Sequence, residues 1–123
     1  MKILLDGEQR LRVQAKGPGL EVESAAPEVH FSPLHMLAAS LASCTVAVLA
    51  SWAMQVGLDI EDLEIGIEWA YVDGPFRVGR YDMTLNWPGL PESRQDAAHR
   101  VARHCTVEHT LTHPPEIELR IAA

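Results

Sequence analysis

The chain has 123 residues, of which 47% are hydrophobic and 22% charged, and its formal net charge at pH 7 is −7. This length and composition predict one globular domain, residues 1–123, and argue against wholesale disorder. The acidic balance argues against nucleic-acid binding, because neutralising phosphates requires clustered Lys and Arg, and the basic residues here are scattered. The opening MKILLDGEQR lacks the apolar run of a signal peptide, and two cysteines are too few for a disulfide framework. We therefore expect a cytoplasmic protein.

The N-terminal third has the pattern of short strands separated by turns. Asp6-Gly7 and Gly17-Pro18-Gly19 are turn signals, and apolar and polar residues alternate in Leu11–Ala15 and Leu20–Glu23. These features predict three strands before the first helix.

The stretch Ser32–Val56 predicts one long helix. Ser32 can cap its start, Pro33 suits the first helical position, and Gly57 suits its end. The segment Met36–Met54 has no charged residue, which meets the length test for a membrane span. However, it is rich in Ala, Ser and Thr, and no Lys or Arg flanks it, so we expect a central core helix and no membrane association. A helix that is apolar all round needs a partner to bury it in so small a domain, which favours a homodimer.

The next region has the clearest strand pattern in the chain. Apolar residues occupy every second position from Leu63 to Tyr71 and again from Tyr81 to Trp87, with Asp73-Gly74-Pro75 between the two runs. This pattern predicts a long antiparallel hairpin with one solvated face.

The C-terminal third predicts a second helix over Pro91–His104, a short helical turn over Thr106–Thr112 and a final strand over Glu116–Ile121. The complete order predicts an α+β fold in which an antiparallel sheet packs against the long central helix.

Two cysteines are the main candidates for chemistry. Cys44 lies near the middle of the apolar helix, and Cys105 follows the apolar stripe of the second helix. Buried free cysteines are often inert core residues, whereas a cysteine pair in a reducing compartment can also carry redox chemistry. Small residues such as Ser40 and Ala47 on the face of Cys44 leave room for a substrate, and the end of an amphipathic helix is a natural place for a mobile thiol.

Two motifs resemble those of a known family. Ser32–Cys44 follows the pattern SPxxxLxAxLASC, which resembles the first-cysteine helix of the OsmC/Ohr family of thiol peroxidases. His104–Leu111, HCTVEHTL, resembles that family's second-cysteine segment, and the hairpin and the Pro-Gly-Leu that precedes the second helix also fit. The resemblance implies an OsmC-like fold and an intertwined homodimer with active sites at the subunit interface.

The resemblance also implies a reaction. Cys44 would be the peroxidatic nucleophile that attacks an organic hydroperoxide, and Cys105 would resolve the resulting sulfenic acid to a disulfide. A dithiol reductant would restore the pair, with no metal or other cofactor.

The thiolate form of Cys44 requires a lowered pKa, which in the family's peroxidases comes from an Arg of the N-terminal strands held by a Glu at the start of the cysteine helix. The Arg candidates here are Arg10 and Arg12, whereas the Glu position is occupied by Leu34. Glu28 lies upstream and could substitute, and His35 falls on the helix face opposite Cys44.

Two other functions stay open. One is a non-catalytic OsmC-fold protein that binds a small apolar ligand at the dimer interface. The other is a metal-binding module in the histidine-rich segment His99–His113, where Cys105 and His109 are four residues apart and would share a helix face. Histidines on an exposed helix are most often simply solvated, and His104 and His109 are the best placed to assist a thiol.

Overall fold

A computed structural model describes residues 1–123 and confirms the α+β class. The elements are β1 (Lys2–Gly7), β2 (Arg10–Gln14), β3 (Glu21–Ser24), α1 (Pro33–Val56), β4 (Glu64–Val72), β5 (Arg77–Asn86), α2 (Gln95–Ala102) and α3 (Thr106–Thr112). A single 3₁₀ turn, Glu92–Arg94, leads into α2.

The five strands form one sheet in the order β3-β1-β2-β4-β5. The neighbouring pairs are antiparallel, as predicted, except β1 and β3, which run parallel at one edge of the sheet. Both sides of β2 are already paired, and β2 ends where β1 begins, with Gln14 opposite Lys2. The next strand, β3, starts beside the first residue of β1 and pairs with the free edge of β1. It must therefore run in the same direction as β1.

Helix α1 begins and ends where the sequence predicts. The Ser32 hydroxyl accepts a hydrogen bond from the His35 backbone N–H, and Gly57 ends the helix in the left-handed conformation at φ 73°. His35 fills the capping-box position usually held by Glu or Gln. Its Nε2 lies 2.9 Å from the Gly7 carbonyl, and its ring packs edge-on against Trp69, so α1 is fixed to the sheet at its first turn.

The core lies between one face of the sheet and the buried side of α1. In β4 and the residue before it, Leu63, Ile65, Ile67 and Trp69 are buried, as the alternation predicts. Leu49 of α1 packs in the same cluster and is fully buried. By length and composition α1 could also cross a membrane, but a core helix passes the same test, and here α1 packs on the sheet and on both shorter helices.

The predicted final strand, Glu116–Ile121, is absent. After α3 and Pro114-Pro115 the chain has no regular structure, and Ile117, Leu119 and Ile121 are 88%, 92% and 92% exposed. A strand needs a neighbour to satisfy its backbone donors and acceptors, and this segment pairs with no strand of its own chain. The predicted second helix is also shorter than Pro91–His104. Its start forms the 3₁₀ turn Glu92–Arg94, and at its end the His104 N–H bonds to the Val101 carbonyl in a tight turn.

Candidate functional site

Cys44 lies in the middle of α1 and is half-buried. On the same side of the helix, Leu37, Ser40, Ala47 and Ser51 are exposed in the single chain. The face that carries the thiol is therefore open, although no charged residue lies on it.

The sequence places Cys105 on the stripe of the second helix, but α2 ends at Ala102 and Cys105 instead precedes the first residue of α3. It is completely buried and caps the start of α3, where its Sγ accepts a hydrogen bond from the Glu108 N–H at 3.3 Å. The same Sγ lies 3.9 Å from the Leu41 carbonyl and can donate to it. Because Leu41 is three residues before Cys44, this contact places Cys105 against the turn of α1 that carries Cys44.

The surroundings of the two thiols give them opposite acidities. Burial raises the pKa of Cys44, but hydrogen bonds from the Cys105 thiol and from the backbone N–H groups of Val107 and Thr106 outweigh it, so the pKa of Cys44 is lowered. The pKa of Cys105 is raised, chiefly by burial and then by its hydrogen bond to Cys44. Cys44 is thus the more acidic thiol, and Cys105 is the thiol that stays protonated.

Neither candidate arginine stabilises the Cys44 thiolate within the chain. Arg12 donates to both carboxylate oxygens of Asp6, at 2.6 and 3.1 Å, and reaches Glu64 at 3.4 Å. Arg10 donates to the Asp6 carbonyl. Alternation along β2 places both arginines on the sheet face opposite the buried Leu11 and Val13 and therefore opposite the thiols.

Neither Glu28, the predicted substitute for the family Glu, nor His35 is among the groups that lower the pKa of Cys44. Glu28 is exposed, and His35 contacts Gly7 and Trp69. The groups that lower the pKa of Cys44 are instead the first backbone amides of α3 and the second thiol. Sequence reasoning missed these amides, although Cys105 followed three residues later by Glu108 has the spacing of a capping box.

The side chains of the histidine-rich segment are not gathered into a ligand set within the single chain. His99, His104, His109 and His113 are exposed, and His109 Nε2 lies 3.2 Å from the Arg103 carbonyl. No group of three His, Cys, Asp or Glu side chains is placed to hold a metal ion. The metal-module alternative therefore has no supporting geometry.

Taken together, the fold and the site define an α+β protein with two adjacent thiols, one on a long central helix and one at the cap of a short helix. A family model described as OsmC-like protein matches residues 25–120. The match covers most of the chain, including both cysteines, and the chain belongs to the OsmC-like family. The family predicted from the two cysteine motifs is confirmed.

Solved structures agree with this assignment. The chain is similar to a protein of Psychrobacter arcticus 273-4 described as an osmotic stress induced and detoxification response protein, with a TM-score of 0.61 and 21% identity over 88% of this chain and 84% of that one. It is also similar to an OsmC-like hydroperoxide resistance protein from Jannaschia sp. CCS1, with a TM-score of 0.57 and 21% identity over 82% of this chain and 71% of that one. These likenesses show the OsmC-like fold. No curated protein matches the chain in sequence.

Proposed function

We propose that this protein, as one OsmC-like domain spanning residues 1–123, is a thiol-dependent peroxidase that reduces hydroperoxides, organic ones preferentially, through Cys44 and Cys105. The observation that carries the proposal is the contact of Cys105 Sγ with the Leu41 carbonyl at 3.9 Å, which places the second thiol against the turn of α1 that carries Cys44. The pKa of Cys44 is lowered and that of Cys105 is raised, in part by the interaction between the two thiols. The structural neighbour described as a hydroperoxide resistance protein supports the substrate class.

The proposed cycle has two chemical steps before reduction. The Cys44 thiolate attacks the terminal oxygen of the hydroperoxide, the O–O bond breaks, and the alkoxide takes a proton to leave as an alcohol. Cys44 is then a sulfenic acid, and the Cys105 sulfur attacks it, releasing water and forming the disulfide. A dithiol reductant supplies two electrons and two protons to restore both thiols, and no metal or other cofactor takes part.

The surroundings of each sulfur suit its role in this cycle. The lowered pKa makes Cys44 the thiol that ionises first, and the donors from α3 stabilise its negative charge. Cys105 stays protonated during the attack and already contacts the turn of α1 that holds Cys44, so resolution requires only a local movement at the start of α3.

We propose further that the protein is a soluble cytoplasmic homodimer without membrane association. Met36 and Met54 of α1 are 56% and 84% exposed on a helix with no charged residue, and the three apolar residues of the segment Glu116–Ile121 are almost fully exposed. A second copy that covers α1 would bury the open face beside Cys44. It would also give the C-terminal segment the neighbouring strand that it lacks in one chain.

A turnover assay tests the proposed activity. The reduced protein is mixed with cumene hydroperoxide and excess dithiothreitol, and peroxide loss is followed. We expect sustained consumption by the wild type, none above background for Cys44→Ser, and loss of the disulfide-based cycle for Cys105→Ser. Ser51→Ala, on the same open face of α1, is the matched control and should consume peroxide like the wild type.

A non-catalytic binding protein is the second candidate, because both arginines predicted to activate Cys44, Arg10 and Arg12, are hydrogen-bonded to Asp6 instead. In that case the wild type would consume peroxide no faster than free cysteine at the same thiol concentration.

A further inference from the structure

A cavity of about 550 Å³ lies between the inner face of the β4–β5 hairpin and the helices α2 and α3. Neither cysteine lines it, although Thr45, the residue after Cys44, forms part of its wall. Its volume is within the range of small-molecule binding sites.

One side of the cavity is apolar. Met83, Leu85 and Trp87 of β5 and its C-terminal extension form this side, with Leu90 beyond them. Contact of this side with a hydrocarbon group is more favourable than contact with water, because it removes the apolar side chains from water.

Two polar atoms that line the cavity lack a hydrogen-bond partner. Tyr81 and Glu108 both line the cavity, and Tyr81 Oη and Glu108 Oε2 are the only buried side-chain oxygens or nitrogens without a hydrogen bond. The second carboxylate oxygen, Glu108 Oε1, is paired with Arg103 Nη2 at 2.8 Å, so the charge of Glu108 is largely balanced. Leaving buried polar atoms unpaired is costly, and such atoms in a cavity indicate a missing partner.

The chemistry of these two atoms restricts the ligand. A carboxylate oxygen only accepts hydrogen bonds, so the ligand must donate to Glu108. Burial raises the pKa of Tyr81, which keeps its hydroxyl protonated and able to donate to the ligand. A hydroxyl group is both donor and acceptor and is uncharged, which suits a site where Arg103 already neutralises Glu108.

We propose that this cavity binds a small apolar alcohol, whose hydroxyl donates to Glu108 and accepts from Tyr81 while its hydrocarbon chain lies against Met83, Leu85 and Trp87. The site is separate from the thiols, and binding there requires no turnover. Alcohols are also the product class of the proposed reduction of organic hydroperoxides, so the cavity would hold that product.

Two isomeric ligands test the proposal by isothermal titration calorimetry on the reduced, full-length protein. 1-Octanol and 1-methoxyheptane have the same atoms, but only the alcohol can donate to Glu108. We expect saturable binding of 1-octanol, one molecule per chain, and affinity for the ether weaker by about tenfold or more.

Three variants identify the residues. Tyr81→Phe should weaken 1-octanol binding several-fold, and Glu108→Ala should abolish the preference for the alcohol over the ether. Arg100→Ala, an exposed arginine of α2 outside the cavity lining, is the matched control and should keep the preference. Cys44→Ser should bind 1-octanol like the wild type even though it cannot turn over peroxide, which separates this proposal from the proposed activity.

Absence of saturable 1-octanol binding to the wild type would overturn the proposal, as would equal affinities for the two isomers. A preference for the alcohol that survives in Glu108→Ala would also overturn it.

Discussion

Replacing Leu119 by alanine tests the proposal that a second copy covers the C-terminal segment. Leu119 is 92% exposed in the single chain, so nearly all of its side chain is available for burial at a subunit interface. In an extended strand, Ile117 and Ile121 would lie on the same side as Leu119, and Glu118 on the opposite side. The substitution therefore removes apolar contact area from the proposed interface. It removes almost no contact within a single chain, because Leu119 is exposed there.

The expected effect follows from the area removed. Each buried methylene contributes about 0.8 kcal/mol, so truncating leucine to alanine costs roughly 2 kcal/mol per chain. A symmetric dimer contains the segment twice, which doubles the cost to roughly 4 kcal/mol. The dissociation constant should therefore rise about a thousandfold.

Sedimentation equilibrium over a wide range of protein concentration measures this constant. We expect a dimeric wild type, a variant Leu119→Ala that dissociates at much higher concentration, and Glu118→Ala, on the opposite side of the segment, within about tenfold of the wild type. A wild type that is monomeric throughout, or a Leu119→Ala dimer as tight as the wild type, would show that a second copy does not cover this segment.

Three further predictions concern the thiols and the start of α1. Because the pKa of Cys44 is lowered, its thiolate forms at a lower pH than that of a free cysteine. The pH at which its alkylation by iodoacetamide accelerates should therefore be lower than for free cysteine. Cys105 has a raised pKa and should react only at higher pH. Because Cys105 caps α3, Cys105→Ala should lower the free energy of unfolding by about 1 kcal/mol in urea, and Cys105→Ser, which keeps a capping oxygen, by less. Because the His35 imidazole accepts from the Ser32 backbone N–H and its Nε2 contacts the Gly7 carbonyl, His35→Ala should cost about 2 kcal/mol in the same measurement.

Each of these predictions has a matched comparison. In Cys105→Ala the alkylation profile of Cys44 should move back toward higher pH, because the thiol that donates to it is gone; an unchanged profile would contradict the assigned cause. For His35→Ala the control is Gln55→Ala, an exposed position on the same helix, which should change stability little. Equal stability of the alanine and serine variants at Cys105 would argue against its capping role.

The sequence predicted the elements whose signals are local. Ser32, Pro33 and Gly57 mark the ends of α1 because capping and backbone preferences act within a few residues. The alternation from Leu63 to Tyr71 predicted the hairpin because one face of that strand is buried. The two cysteine motifs predicted the family, which the match over residues 25–120 confirms.

The features that depend on distant parts of the chain were not predictable in the same way. The parallel pairing of β3 with β1 results from which strand edges are free, and the missing strand at Glu116–Ile121 reflects the lack of a neighbour. Likewise, the contact of Cys105 with the turn of α1 at Leu41 joins residues 64 positions apart. The role of Arg10 or Arg12 was inferred from the resemblance alone, and within the chain both are engaged with Asp6.

The most direct test of the account is the state of both sulfurs after one equivalent of an alkyl hydroperoxide. Free thiols are counted in the reduced protein before and after addition, and peptides are then mapped by mass spectrometry, with Cys44→Ser as the control. The account predicts rapid loss of both thiols and a Cys44–Cys105 disulfide within one chain, with neither in the control. Two thiols that stay free, or Cys44 oxidised alone beside an unreacted Cys105, would contradict it.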